Sequence, residues 1–220
     1  MKTFPIEHVQ KKETLFYPVR PEVFETDILE IGPGNGDFLL SLSKEFSGKK
    51  IAAIELREKR FRQIGRRLER NLAKNVTLLW GDARILLPQY FKKESFEKIY
   101  ILFPDPWPKT RHALWRLLSG DFLQVLQGFL KPEGELLFAT DEKPYADAVL
   151  KEIRKIAGWK LLPETSKTEI RAKPTYFEQK WMRAGRNICH LQIKKDPLSL
   201  GVEHPEGEPA RDKKADPVDP

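Results

Sequence analysis

Residues 103–112 read FPDPWPKTRH and gather one carboxylate, Asp105, one indole, Trp107, and the basic side chains Lys109, Arg111 and His112 into a single turn. Pro104, Pro106 and Pro108 each fix their own φ and bias the preceding residue away from helix, so the peptide is expected to be stiff. Such a turn could hold a nucleobase: the acid accepts hydrogen bonds from ring donors, the indole stacks, and the cations meet phosphate. The plainer reading is a proline-rich strand exit whose tryptophan covers a core edge. Four further acids, Glu30, Glu55, Asp82 and Asp141, stand at or just before the ends of other apolar runs. Singly, each is explained as a helix cap or a turn residue. Five acids in corresponding places are hard to explain as surface decoration.

The elements that must position these acids alternate in period. Strands are expected at 27–32 (DILEIG), 51–55 (IAAIE), 76–80, 98–103 and 136–140 (LLFAT), the last preceded by a turn, LKPEGE. Between them lie helical stripes. Phe38, Leu39, Leu42 and Phe46 follow the first strand; Phe61, Ile64, Leu68 and Leu72 mark a helix over 58–73; a short, partly helical stretch reaches Tyr90. Phe122, Val125, Leu126 and Phe129 mark a helix over 121–130, and Tyr145, Val149, Ile153 and Ile156 mark one from Pro144 towards Gly158. A late strand at 159–162, a polar excursion through Pro174, a short helix over 178–184 and a final strand at 188–194 complete the body. This order predicts an α/β fold, a mostly parallel sheet with helices on both faces, whose ligands sit at the carboxyl ends of the strands. Residues 1–26 read as an N-terminal arm, 27–195 as one domain, and 196–220, rich in proline, glycine and charge, as a disordered tail.

The glycine turn after the first strand, GPGNGD, holds Gly32, Gly34 and Gly36 but has Asp37 where the dinucleotide fingerprint has its third glycine. A pyrophosphate there would be opposed by Asp37 and Glu30. S-adenosylmethionine carries an ammonium and a sulfonium and no phosphate, and its ribose hydroxyls suit a strand-end acid such as Glu55. The turn and its acids therefore favour this methyl donor over NAD, with an adenine-edge hydrogen bond for Asp82. The acceptor question follows. Guanine N7 has a free lone pair and no proton, so it needs no general base. A carboxylate such as Asp105 or Asp141 could accept from guanine N1 and N2 and so orient N7.

The peptides EIGPGNG, AIEL, GDA, FPDPWPKTRH, ATDEKPYA and TYFEQKWMRAG, in this order and spacing, resemble the bacterial tRNA (guanine-N7)-methyltransferase family, the TrmB type, over residues 27–194. The resemblance implies a class I S-adenosylmethionine-dependent methyltransferase fold, Rossmann-like with a seven-stranded sheet, and the guanosine at position 46 of the tRNA variable loop as target. It implies that Glu30, Gly32, Gly34, Gly36, Glu55, Asp82 and Ala83 bind the donor, that Asp105 is catalytic, and that Lys109, Asp141, Thr175, Tyr176, Phe177 and Glu178 bind substrate. The chain departs from the family after His112, where Ala113, Leu114 and Trp115 replace basic residues. It departs again in the closing motif, where Arg186 and His190 replace a histidine and an acid, and in the glycine turn at Pro33 and Asn35.

Charge and composition agree with a polyanionic partner. The chain of 220 residues has a formal charge of +7, divided between a body with 36 Lys and Arg against 25 Asp and Glu and a tail with three against seven. A helix face of Lys59, Arg62, Arg66 and Arg70 adds a candidate contact for nucleic acid, although such faces are usually only solvated. No run of about 18 apolar residues occurs, so no membrane span is expected. The start does not look like a secretory signal, and the single cysteine, Cys189, reads as a small core residue in a reducing compartment, so a cytoplasmic setting is expected. No metal is expected, and monomer and homodimer are both open. Two alternatives stand beside tRNA methylation: methylation of another RNA or of an amino group, and non-catalytic RNA binding.

Overall fold

The computed structural model of the chain describes residues 23–107, 115–163 and 175–196. The expected arm up to residue 22 and the tail from residue 197 lie outside them, as do Lys109, Arg111 and His112. The elements run β1 (Ile28–Ile31), α1 (Asp37–Glu45), β2 (Ile51–Glu55), α2 (Glu58–Arg70), β3 (Val76–Trp80), α3 (Ala83–Tyr90), β4 (Phe96–Leu102), α4 (Gly120–Phe129), β5 (Leu130–Thr140), α5 (Lys143–Ile153), β6 (Trp159–Leu161), α6 (Tyr176–Arg183) and β7 (Cys189–Lys195). They form one seven-stranded sheet in the order β3-β2-β1-β4-β5-β7-β6. β7 pairs antiparallel with both β5 and β6, and the remaining pairings are parallel. The chain order reverses between β1 and β4, and that crevice is where ligands of open α/β sheets bind.

Strand parity divides the core into two layers. Leu29, Ile31, Ile54, Ile99, Ile101 and Phe138 pack with α3, α4 and α5 through Leu87, Leu126 and Val149. Ile28, Ile51, Ala53, Leu78, Tyr100 and Leu137 pack on the other face against Phe38, Leu39 and Leu42 of α1 and Phe61, Ile64 and Leu68 of α2. Apolar residues on both faces are what a sheet covered on both sides requires. The packing also anchors the domain edge. Phe24 donates its N–H to the Tyr90 carbonyl at 2.9 Å and stacks its ring on that of Tyr90.

Two local expectations change. Leu72, expected on the buried stripe of α2, is 73% exposed: the helix ends at Arg70, Leu72 takes a left-handed turn at φ 53, and Ala73 is buried in its place. The peptide LKPEGE is the first half of β5 rather than a turn before it. Leu130 pairs with Phe96, the register shifts between Phe96 and Lys98, and Glu133 absorbs the bulge at φ 64.

Candidate active site

The parity of β1 decides the state of its acid. Ile28 and Glu30 point to the α1–α2 layer, so Glu30 is carried into the core at 2% exposure. Burial, reinforced by the charge of Glu55, pushes the Glu30 carboxyl up to about 8. Glu55, at the end of β2, is also buried; desolvation raises its pKa against the lowering effect of the Arg57 N–H, which donates to Oε1 at 2.8 Å. The Oε2 atoms of both glutamates are buried without a hydrogen-bond partner. Two orphaned acceptors at one sheet edge cost free energy unless a ligand supplies donors.

The glycine turn brings the chain close to this edge. Gly36 caps α1 at φ +80, and a Cβ there would stand 3.3 Å from Ile64, so α2 packs directly over it. Gly32, at φ +75, lines two cavities at once, and a Cβ there would meet no atom within 4 Å. It would project into ligand space. Asp37, at the start of α1, is paired with Arg67, so it offers less opposition to an anion than its sequence position implies.

The first cavity, about 350 Å³, is lined by Glu55, Asp82, Ala83, Arg84, Trp107 and Trp115, among others. Asp82 caps α3 by accepting the Arg84 N–H at 2.9 Å, and the Arg84 guanidinium bonds both of its carboxylate oxygens. Its burial acts to raise the pKa, but the Arg84 bonds outweigh it and hold Asp82 below the usual carboxylate range. Trp107 and Trp115 meet edge to face at 4.9 Å and form an aromatic wall. Glu55 for the ribose hydroxyls and an apolar, aromatic slot for the purine are what S-adenosylmethionine would find here, and Glu30, in the adjoining cavity, would face its ammonium, so the residues fit it.

Asp105 stands on the wall between this cavity and a second one of about 250 Å³. The turn that carries it is strained: Phe103 and Trp107, both non-glycine, adopt φ 52 and φ 43. Bonds from both sides hold it there. The Phe103 N–H donates to the Ala139 carbonyl at 2.8 Å, Arg116 Nε donates to the Pro106 carbonyl at 2.9 Å, and Arg57 Nη2 lies 3.0 Å from Asp105 Oδ2.

The second cavity also collects Glu30, Asp141, Thr175, Trp181 and Arg186. Asp141, immediately after β5, is ion-paired with Arg186, whose guanidinium lies 4.1 Å from the centroid of the Trp181 ring. Thr175 caps α6 in a reciprocal box with Glu178: Thr175 Oγ1 accepts the Glu178 N–H, and Glu178 Oε2 accepts the Thr175 N–H. Glu178 Oε1 in turn lies 2.8 Å from His190 Nε2. Glu178 is thus buried and lines neither cavity; it holds Thr175 in the wall. The side chains of Tyr176 and Phe177, like Lys109, lie outside the described residues.

Of the residues expected at the site, the fold brings Glu30, Gly32, Gly34, Asp105, Asp141 and Thr175 into one cavity and Gly32, Glu55, Asp82, Ala83 and Asp105 into the other. It adds Arg57, Arg60 and Trp181. The signal for the two arginines was their place at and just after the N-cap of α2, directly after the β2 acid. Arg186 was visible only as a departure in the closing motif.

Residues 25–191 match a family model described as "Putative methyltransferase". The chain is 34% identical over 172 residues to a tRNA (guanine-N(7)-)-methyltransferase of Syntrophotalea carbinolica, covering 77% of this chain and 74% of that protein. It is 32% identical over 182 residues to the enzyme so named in Leptospira interrogans serovar Lai, covering 82% of each. Identity to the Thermotoga maritima enzyme of that name is 37% over 170 residues, 76% of this chain and 53% of the relative, so the chain spans about half of that protein. Among solved structures, the 16S rRNA methyltransferase KamB superposes with a TM-score of 0.57 at 16% identity, over 79% of this chain and 89% of that one. An S-adenosylmethionine-dependent O-methyltransferase of Thermotoga maritima superposes with a TM-score of 0.53 at 16% identity, over 84% and 62%. These two likenesses establish the class I methyltransferase fold.

Proposed function

The chain belongs to the tRNA (guanine-N7)-methyltransferase family, and from that premise we propose that it methylates N7 of guanosine 46 in the variable loop of tRNA, with Asp105 as the catalytic residue. The observation that carries this reading is the position of Asp105 on the wall shared by two adjoining cavities, one lined by Glu55 and Asp82 and the other by Glu30 and Asp141, so that it stands beside the acids for the donor and an acid for the base. When bound, S-adenosylmethionine supplies an electrophilic methyl group on a sulfonium.

The protein's residues have three tasks. Glu30 and Glu55 hold the donor through the carboxylate oxygens that lack partners. Asp82 and Ala83, with the Trp107–Trp115 wall, bound its purine end. Asp105 and Asp141 accept from the N1 and N2 donors of guanine and so aim N7. No proton leaves N7, so neither acid acts as a base. The base becomes cationic as the new N–C bond forms, and both carboxylates are then worth more than in the ground state, which is differential binding of the transition state. The strained turn at Phe103 and Trp107 fixes Asp105 in advance of substrate.

Partner and setting follow from the same reading. The substrate is tRNA, held by the basic body, and no helix among the described residues is long and apolar enough to cross a membrane. The lone Cys189, partly buried against the core, supports a cytoplasmic setting, and the protein acts as a monomer or homodimer. The test is to incubate the purified chain with labelled donor and unmodified tRNA, then digest and map the nucleosides. N7-methylguanosine at position 46 is expected. A different methylated atom, or none, would sink the reading.

A further inference from the structure

Arg186 is held at the site by three kinds of contact. Its backbone N–H donates to the Trp181 carbonyl at 2.9 Å, its guanidinium lies over the Trp181 ring, and its Nη1 pairs with Asp141. Glu142 lies 3.9 Å from the same nitrogen. The Asp141 side chain is only 11% exposed, whereas that of Arg186 is 45% exposed, and both line the cavity that contains Asp105. A stack occupies a face of the guanidinium and leaves its in-plane edge available. With five N–H donors in that plane, an ion pair through Nη1 does not exhaust Arg186.

The pair therefore presents a half-exposed donor beside a largely buried acceptor in the cavity wall. The Watson–Crick edge of guanine shows the complementary order, the O6 acceptor next to the N1 and N2 donors. Adenine shows an N6 donor next to the N1 acceptor, which is the reverse order. Resting on the guanine reading above, we propose that Arg186 is a specificity-determining residue that donates to guanine O6 while Asp141 accepts from N1, which leaves N2 to Asp105. Contact with O6 from the Watson–Crick side leaves the N7 lone pair free. Asp141 also compensates the charge of Arg186, so the pair places no net cation beside a base that becomes cationic. Trp181 holds the guanidinium plane, so the donor arrives already oriented.

The experiment is a cycle between protein and base. Wild type and Arg186→Ala are assayed on tRNA carrying guanosine, 6-thioguanosine or inosine at the target position, with donor binding measured by calorimetry. 6-Thioguanosine keeps N1–H and N2 and replaces O6 by a poor acceptor; inosine keeps O6 and lacks N2. Arg186→Ala should lower kcat/KM on guanosine at least tenfold with donor binding within about twofold of wild type. The penalty for 6-thioguanosine seen in wild type should vanish in Arg186→Ala, while the penalty for inosine persists. If Arg186 only braces Asp141, turnover falls but the 6-thioguanosine penalty is the same in both proteins, and the inference is overturned. Unchanged turnover of Arg186→Ala on guanosine overturns it as well. Absence of N7-methylguanosine from wild type overturns the parent reading, and this inference with it.

Discussion

Glu30 and Glu55 stand at neighbouring strand ends, each with a buried Oε2 that has no partner, and the charge of Glu55 adds to burial in raising Glu30 to about 8. The charge of Glu55 makes Glu30 harder to ionise, and a cation between strand and glycine turn relieves it.

Donor affinity should pass through a maximum near pH 8. Below it, Glu30 is protonated in the free protein and must lose that proton to face an ammonium. Above about pH 8 the amino group of the donor loses its own proton. Calorimetry of S-adenosylmethionine in buffers of different ionisation enthalpy should show close to one proton released at pH 7, and Glu30→Gln should abolish that release.

Stability of the ligand-free protein should fall as pH rises. The folded pKa of Glu30 is raised above its unfolded value, so its contribution is fully present below about pH 4.5 and is lost progressively up to about pH 8. The loss is at most on the order of 5 kcal/mol by the linkage relation. Urea denaturation between pH 5 and 8 should show a decline for wild type that is much reduced in Glu30→Gln; equal slopes would refute the burial argument.

Asp105→Ala should lose turnover by roughly 100-fold or more, the scale of one preorganised electrostatic partner. Donor binding should persist, because Asp105 is exposed on the wall shared by the two cavities, whereas the unpartnered carboxylate oxygens that hold the donor belong to Glu30 and Glu55. Parallel loss of both in single-turnover and calorimetric measurements would remove Asp105 from the role assigned to it.

Trp115→Ala should weaken donor binding about 3- to 10-fold, the equivalent of one aromatic contact of roughly 1 kcal/mol, without changing the methylated atom. The ring is 56% exposed and packs on Trp107 at the cavity wall, so its removal should cost little stability. Quenching of tryptophan fluorescence by S-adenosylhomocysteine, reduced in the variant, would report the contact.

Much of the architecture was legible because its signals are local. Strand IAAIE and the stripes of α1 and α4 follow from the spacing of apolar residues alone. Leu72 was misplaced because the helix stop at Arg70 is set by a left-handed turn that apolar spacing does not reveal. LKPEGE was read as a turn because Pro132 and Gly134 have turn chemistry, whereas pairing with β4 recruits the segment into a bulged strand. The five acids were legible as strand-end residues, yet their states were not. Glu30 is buried by parity, Asp82 is engaged by Arg84, and Glu178 supports the wall from within the core.

The sequence by itself determined the order of strands and helices, the acids at the carboxyl edge and the stiff turn around Asp105, since each depends on residues within a few positions of one another. Only the tertiary structure decided which cation meets which acid. Arg57 reaches Asp105 across 48 positions and Arg186 reaches Asp141 across 45. The first contact exists because β1 lies between β2 and β4, and the second because β7 returns antiparallel beside β5. Sheet order is a property of long-range pairing, which no local pattern encodes.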